Sequence, residues 1–263
     1  MKLPYFEVAA FTQRAFGGNP AGVCLLEKWL PDALLQSIAA ENNLAETAFV
    51  VPRGDYELCW FTPVAEIDLC GHATLASAHV LVRHRGIQDP VIRFQTRHAG
   101  ELRVKRDGDR LVLDFPARPL TRCDVTDEIV AALGTKPQEL HQARDYMAVF
   151  SSADEVRALR PDMTRLTQLP LEGVLVTAPG GDCDFVSRFF VPKQGIPEDH
   201  VTGSTHCNLI PFWAERLGKT KMFARQVSQR GGELYCELRR DRVHIGGHAV
   251  TYLTGEIEVP NES

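Results

Sequence analysis

Several features that would assign a protein class are missing from this sequence of 263 residues. It contains no apolar run that approaches the roughly 20 residues needed to cross a bilayer. Its first residues lack the apolar core of a signal peptide. The seven cysteines are odd in number and scattered, and none form a Cys-x-x-Cys pair. These absences predict a cytoplasmic protein in a reducing compartment, with no membrane partner.

Charge and motif content argue against two further classes of partner. The formal net charge is −5 and no basic stripe is present, which argues against binding to nucleic acid. Neither the Gly-x-x-x-x-Gly-Lys-[Ser/Thr] nor the Gly-x-Gly-x-x-Gly motif occurs, so no nucleotide cofactor is expected. The histidines show no metal-binding spacing, and we predict no metal.

An internal repeat organises the chain. Gly71 and Gly203 lie 132 residues apart, and the same offset aligns six further identical pairs without a gap. The six pairs are Gly86 and Gly218, Gly100 and Gly232, Glu101 and Glu233, Leu102 and Leu234, Asp109 and Asp241, and Arg110 and Arg242. Glycines that open turns or end helices are fixed by backbone geometry, so their repetition indicates one structural unit used twice.

The repeat predicts two similar domains. The two prolines in Pro116-Ala117-Arg118-Pro119 interrupt any regular element, which places the boundary between residues 1–117 and 118–250. A final strand at about 251–263 could return to the first domain. Each half is expected to contain a helix that starts at its repeated glycine, with strand pairs after it. Pro211 lies inside the second of these helices and should kink it or leave a carbonyl for another donor.

The two glycine turns suggest an anion site. The first N–H groups of a helix lack intrahelical partners and carry the positive end of the helix dipole. With no side chain in the way, Gly71 and Gly203 would let a substrate carboxylate approach these groups. Two such helix ends would hold the substrate between the two halves. Alternatively, each glycine only permits its turn.

Four residues near these turns are candidates for proton transfer: Glu46, His72, Asp199 and Ser204. Glu46 precedes an apolar strand and could accept and return a proton, although a salt bridge or cap is an alternative. His72 follows the first glycine and could hold a carboxylate or share a proton. Asp199 and Ser204 flank the second turn and could instead be helix-capping residues.

Five motifs, in order along the chain, resemble the phenazine-biosynthesis PhzF-like family. They are Phe16-Gly17-Gly18-Asn19-Pro20-Ala21-Gly22, Leu44-Ala45-Glu46-Thr47-Ala48-Phe49, Phe61-Thr62-Pro63, Cys70-Gly71-His72-Ala73-Thr74 and Glu198-Asp199-His200-Val201-Thr202-Gly203-Ser204. The resemblance implies an α+β (α/β) fold of two pseudo-symmetric domains related to diaminopimelate epimerase. In each domain a curved, barrel-like mixed sheet surrounds a central helix. It also implies a homodimer.

The resemblance further implies a cofactor-independent isomerase in a biosynthetic process. Glu46 would move a proton between two carbons of a dihydro-hydroxyanthranilate-type carboxylate, assisted by His72, Asp199 and Ser204. Substrate contacts would come from Asn19, Gly71, Thr202 and Gly203.

Two other functions remain open. Epimerases and racemases of this fold use one cysteine at each glycine turn, and here Cys70 precedes the first turn while Thr202 precedes the second. An unactivated hydroxyl is too weak a base for that role, so the pattern favours one-glutamate chemistry. The remaining alternative is a small-molecule binding or interaction module that has the fold without catalysis.

Overall fold

The chain forms two compact units in a computed structural model that describes residues 1–260. The first unit comprises Met1–Asp114 and the segment that begins at Gly246, and the second comprises Phe115–Ile245. The sequence analysis placed the boundary at 117/118 and a returning strand at about 251–263. Residues 261–263 of that predicted strand lie outside the described part of the chain.

The first unit alternates strands with two helices. Its elements are β1 (Lys2–Ala10), β2 (Asn19–Leu25), α1 (Asp32–Asn42), β3 (Glu46–Arg53), β4 (Asp55–Phe61), β5 (Glu66–Ile67), α2 (Gly71–His84), β6 (Val91–Thr96), β7 (Glu101–Asp107) and β8 (Arg110–Pro116), whose last two residues fall in the second unit.

The second unit repeats this succession with extra short pieces. Its elements are β9 (Thr121–Cys123), α3 (Asp127–Leu133), β10 (Glu139–Gln142), β11 (Tyr146–Val149), α4 (Ala153–Ala158), α5 (Met163–Gln168), β12 (Val174–Pro179), β13 (Phe185–Val191), β14 (Ile196–Asp199), α6 (Gly203–Leu217), β15 (Lys221–Gln226), β16 (Gly232–Arg239) and β17 (Arg242–Gly247), whose last two residues fall in the first unit. The last strand, β18 (Ala249–Glu258), belongs to the first unit and pairs antiparallel with β1.

Strand pairing shows that the two units share one topology. In the first unit β1–β2 and β3–β4 pair antiparallel, whereas β2–β3 and β4–β6 pair parallel. In the second unit β10–β11 and β12–β13 pair antiparallel, whereas β11–β12 and β13–β15 pair parallel. The antiparallel pairs β6–β7 and β15–β16 complete the correspondence. The prediction of two similar domains is therefore confirmed.

The helices that start at the repeated glycines are the central elements of the units. Residues Gly71 to Ala78 of α2 are all buried, and the helix packs against β1, β2 and β3. A helix covered on every side needs small or apolar residues all round rather than one apolar stripe. The equivalent helix α6 packs against β15 and β16. In both units the turn before the central helix comes from a short strand, β5 or β14, that pairs with its neighbour.

Pro211 lies inside α6, as the sequence predicted, and its effect is visible in the backbone. Proline has no N–H, so the carbonyl four residues earlier loses its helical donor. That carbonyl belongs to Cys207, and it accepts a hydrogen bond from the backbone N–H of Arg118 at 2.9 Å. The segment at the predicted boundary thus supplies the donor that the proline removed.

Among the described helices, none combines the length and apolar character that crossing a bilayer requires.

Candidate active site

One group of candidate residues lies at the start of α2, in the first unit. The N-cap residue Cys70 is extended, with φ −134° and ψ 111°, and the helix begins at Gly71. His72 is consequently the second helical residue, and it is 4 % exposed. A buried imidazole must find polar partners inside the protein, because leaving its nitrogens unpaired would cost several kcal/mol, on the order of 2–7.

Both ring nitrogens of His72 lie close to polar side chains. Nε2 is 3.1 Å from Oε2 of Glu46, the first residue of β3. Nδ1 is 3.2 Å from Nδ2 of Asn19, the first residue of β2, and 3.5 Å from Sγ of Cys70. Because β2 and β3 pair in parallel, their first residues lie at the same edge of the sheet, next to the start of α2. The fold therefore brings together four residues from three separate segments of the sequence.

Burial and charge have opposite effects on His72. Burial lowers the pKa of the ring, but Cys70 and the Glu46 carboxylate outweigh that effect and raise the pKa of His72 well above its usual value. Burial raises the pKa of the Cys70 thiol, with the Glu46 charge adding to the effect. A thiol with a raised pKa is protonated at neutral pH, so the carboxylate is the negative charge that stabilises a protonated His72.

The Glu46–His72 contact is close but not aligned as a hydrogen bond. Within the described chain, neither Oε2 of Glu46 nor Nε2 of His72 has a hydrogen-bond partner, and both atoms are buried. The Glu46 side chain is 17 % exposed. A carboxylate held against an imidazole, with an unsatisfied oxygen, is suited to accept a proton from a third group.

Glu46, Cys70 and His72 also form a cluster whose potential ligand atoms lie within 4.8 Å of one another. The arrangement suits a shared metal ion poorly. The thiol approaches Nδ1 and the carboxylate approaches Nε2, so the two groups lie at different nitrogens of one ring. Each ring nitrogen has a single lone pair for a metal ion. A metal bound to one nitrogen of His72 would therefore have only one of the two groups beside it, unless the ring turned.

A second group of candidate residues lies at the start of α6, in the second unit. Asp199 ends β14, and Thr202 is the N-cap residue before Gly203. The Thr202 hydroxyl donates to Oδ2 of Asp199 at 2.5 Å. Ser204 is the second residue of α6 and is partly buried. This turn therefore holds the carboxylate of Asp199 through a side chain of the same loop.

One further residue of this turn was missed by the sequence analysis. Gln226 is fully buried at the end of β15, and its Oε1 accepts from the backbone N–H of Thr202 at 2.9 Å. Its Nε2 donates to the Asp199 carbonyl at 2.9 Å and to the Thr202 hydroxyl at 3.1 Å. Residues 221–226 alternate between exposed or half-buried and buried positions, and Gln226 occupies a buried one. A polar side chain at an apolar position of a strand is the signal that could have found it.

The predicted residues thus fall into two groups. Asn19, Glu46, Gly71 and His72 are grouped in the first unit. Asp199, Thr202, Gly203 and Ser204 lie together at one turn of the second unit.

Comparison with known proteins identifies the class. The family model described as phenazine biosynthesis-like protein matches residues 8–255. An uncharacterized isomerase of Pseudomonas aeruginosa is 50 % identical over 260 residues, covering 98 % of this chain and all of the relative. The human phenazine biosynthesis-like domain-containing protein is 41 % identical over 287 residues, covering 98 % of this chain and 99 % of the relative. The protein is an isomerase.

Solved structures agree with that class. A phenazine biosynthesis protein of the PhzF family from Enterococcus faecalis superposes with a TM-score of 0.96 at 48 % identity, covering 98 % of this chain and all of the other. A hydroxyproline epimerase from Agrobacterium vitis shares the fold alone, with a TM-score of 0.63 at 14 % identity, 97 % of this chain and 92 % of the other being covered. The chain belongs to the phenazine biosynthesis-like (PhzC-PhzF) family and has the α+β epimerase-like fold expected from its motifs.

Proposed function

We propose that this isomerase moves a proton between two carbon atoms of a small carboxylate substrate and that Glu46 carries the proton. The observation that supports the proposal is the buried contact between Glu46 and His72, in which Oε2 lacks an aligned hydrogen bond. A mostly buried carboxylate oxygen without an aligned hydrogen bond is available to accept a proton from a bound substrate. The substrate would be of the dihydro-hydroxyanthranilate type.

The other predicted residues would orient the substrate. His72 steadies the Glu46 carboxylate from one side, while Asp199 and Ser204 would assist from the second turn. The N–H groups at Gly71 and Gly203 would receive the substrate carboxylate, since each glycine starts a helix and has no side chain to block an anion. Thr202 was predicted to bind substrate, and its hydrogen bond to Asp199 favours an indirect part in that binding.

The thiol chemistry of related epimerases fits this chain less well. A thiol must become a thiolate to remove a proton from carbon, and the raised pKa of Cys70 opposes that step. At the second turn Thr202 replaces the partner cysteine, and its hydroxyl already donates to Asp199. One carboxylate that takes and returns a proton requires neither thiol.

We further propose that the reaction uses no metal and no organic cofactor, because a carboxylate can accept and return a proton unaided. We also propose that the protein is a cytoplasmic homodimer that acts in a biosynthetic process. No nucleic-acid or membrane partner is proposed.

The test is hydrogen exchange at carbon. The protein is incubated in deuterated water with a panel of small cyclic and amino carboxylates, and NMR follows deuterium incorporation and double-bond migration. We expect at least one compound to react with wild type, and Glu46→Gln to lower its rate by about 10³-fold or more, the upper part of the range for general acid–base catalysis. The control is Glu41→Gln, which changes an exposed glutamate of α1 and should react like wild type. Exchange that survives in Glu46→Gln would refute the proposal, and binding without exchange in wild type would favour the binding module.

A further inference from the structure

The Nδ1 side of His72 carries an interaction that the proposed reaction does not yet use. Asn19 is fully buried, and its Nδ2 lies 3.2 Å from Nδ1 of the ring. Burial on that scale leaves Asn19 no surface with which to touch a substrate directly. The sequence analysis predicted that Asn19 contacts the substrate, but its burial favours a different role for this residue.

The backbone around Asn19 holds the amide in place. Asn19 pairs with Ala10 at the start of the β1–β2 ladder. The preceding Gly18 has φ +63°, and a Cβ at that position would lie 2.1 Å from the Ala10 carbonyl oxygen. Only glycine can occupy this turn, because any side chain would meet the backbone of β1. The turn at Gly18 therefore fixes the position of the Asn19 amide beside the His72 ring.

The Asn19 amide can form a hydrogen bond with the His72 imidazole in either of the ring's protonation states. A neutral imidazole with its hydrogen on Nε2 offers Nδ1 as an acceptor, whereas the doubly protonated ring offers Nδ1–H as a donor. An asparagine amide contains both an NH₂ group and a carbonyl oxygen, so it can pair with either form by turning over. A carboxylate or an alkyl group at the same position could not do both.

We propose that Asn19 is a positioning residue that holds the His72 ring with Nε2 against Glu46 in both protonation states of the ring. Asn19 acts through His72 and not on the substrate. The inference rests on the proposed function, because it matters for catalysis only if Glu46 carries the proton. Among the described residues, three polar side chains face the ring from the elements packed around it: Glu46 from β3, Cys70 from the turn before α2, and Asn19 from β2.

The test is an NMR titration of the imidazole nitrogens in ¹⁵N-histidine-labelled full-length protein, with His72→Gln used to assign the His72 signals. Nitrogen shifts report directly which ring nitrogen carries a proton. Asn19→Asp places a carboxylate against Nδ1, and we expect the His72 midpoint to rise by at least about one pH unit relative to wild type. The matched control is Asn42→Asp, which makes the same change at an amide that binds the Thr47 hydroxyl rather than His72. A His72 midpoint that is the same in both variants would overturn the proposal.

A second variant covers the case in which Asn19→Asp does not fold. In Asn19→Ser the hydroxyl is too short to reach Nδ1, and we expect the neutral ring to populate both tautomers instead of the Nε2–H form alone. A single tautomer in Asn19→Ser would contradict the assignment. Neither measurement uses a substrate, so these NMR results test the role of Asn19 alone. The proposed function is tested separately, and it would be refuted by carbon exchange that survives in Glu46→Gln.

Discussion

The three side chains around His72 differ in what each can do with a proton. Glu46 is the group whose oxygen lacks an aligned partner, Cys70 is a thiol with a raised pKa, and Asn19 has no titratable proton. The carboxylate is the one group of the three suited to take a proton from carbon at neutral pH.

Replacement of Cys70 separates these roles. We expect Cys70→Ala to lower the carbon-exchange rate by less than about tenfold, because a thiol that stays protonated cannot act as the base. The measurement is the deuterium incorporation rate with the reactive compound from the panel. A loss as large as that in Glu46→Gln would show that the thiol takes part in the proton transfer.

The buried side chains of His72 and His206 should make the stability of the protein depend on pH in opposite directions. The pKa of folded His72 is raised, so its contribution to stability is present below the unfolded value of about 6.5 and is lost as pH rises through the folded pKa. Burial lowers the pKa of His206 to about 4, so its contribution is present above about 6.5 and is lost as pH falls toward 4.

Urea unfolding of His72→Gln and His206→Gln between pH 4 and 9 measures both effects. The difference in unfolding free energy between wild type and His72→Gln should shrink as pH rises above about 6.5. The difference for His206→Gln should shrink as pH falls below that value. Parallel curves for the two variants would contradict the assigned directions.

Among the elements, α6 shows how a local disruption is absorbed. Proline inside a helix ordinarily costs about 3 kcal/mol, partly through the carbonyl that it leaves without a donor. Here the Arg118 N–H satisfies the Cys207 carbonyl, and the Asn208 side chain donates to the Arg118 carbonyl at 3.1 Å. The segment after β8 is therefore bound to the helix at two backbone groups.

This arrangement predicts that Pro211→Ala raises the free energy of unfolding only slightly. We expect a change in unfolding free energy within about 1 kcal/mol, because the lost donor has already been replaced. The control is Ala214→Pro in the same helix, which should destabilise the protein by about 3 kcal/mol or more, since no replacement donor faces Ile210 among the described hydrogen bonds. Chemical denaturation measures both values. A gain near 3 kcal/mol in Pro211→Ala would show that the Arg118 bond contributes nothing.

Much of the fold could be predicted because helix starts and turns are local. Gly71 and Gly203 begin α2 and α6 as the repeat indicated, and Thr126 caps α3 by accepting from the Ile129 N–H. The short strands β5, β9, β10 and β14 were missed, since two to four residues carry too little periodicity to distinguish them from loops.

Contacts among the candidate residues were harder to predict than the residues themselves. The motifs pointed to Glu46 and His72, but the contact of Asn19 with Nδ1 depends on the packing of β2 against α2, which joins residues 53 positions apart in sequence. Gln226 is 24 residues beyond Thr202 and touches its turn only because β15 pairs with β13. Such pairings are set by tertiary packing, which one sequence does not display.

For the molecule as a whole, the duplication places equivalent helix starts in both units but gives them different chemistry. The first unit supplies a carboxylate and an imidazole, whereas the second supplies Asp199 held by Thr202 and Gln226. A symmetric enzyme with a base in each unit would suit inversion at one carbon. An asymmetric pair suits a reaction in which one group takes a proton from one carbon and returns it to another.

That asymmetry is tested most directly by following the transferred hydrogen itself. A substrate from the exchange panel is labelled with deuterium at the carbon that loses its proton, and the product of a single turnover in ordinary water is analysed by NMR and mass spectrometry. If Glu46 alone carries the proton, part of the deuterium should appear at the new carbon, and Glu46→Gln should form no labelled product. Complete loss of the label to solvent, together with turnover that persists in Glu46→Gln, would contradict the account.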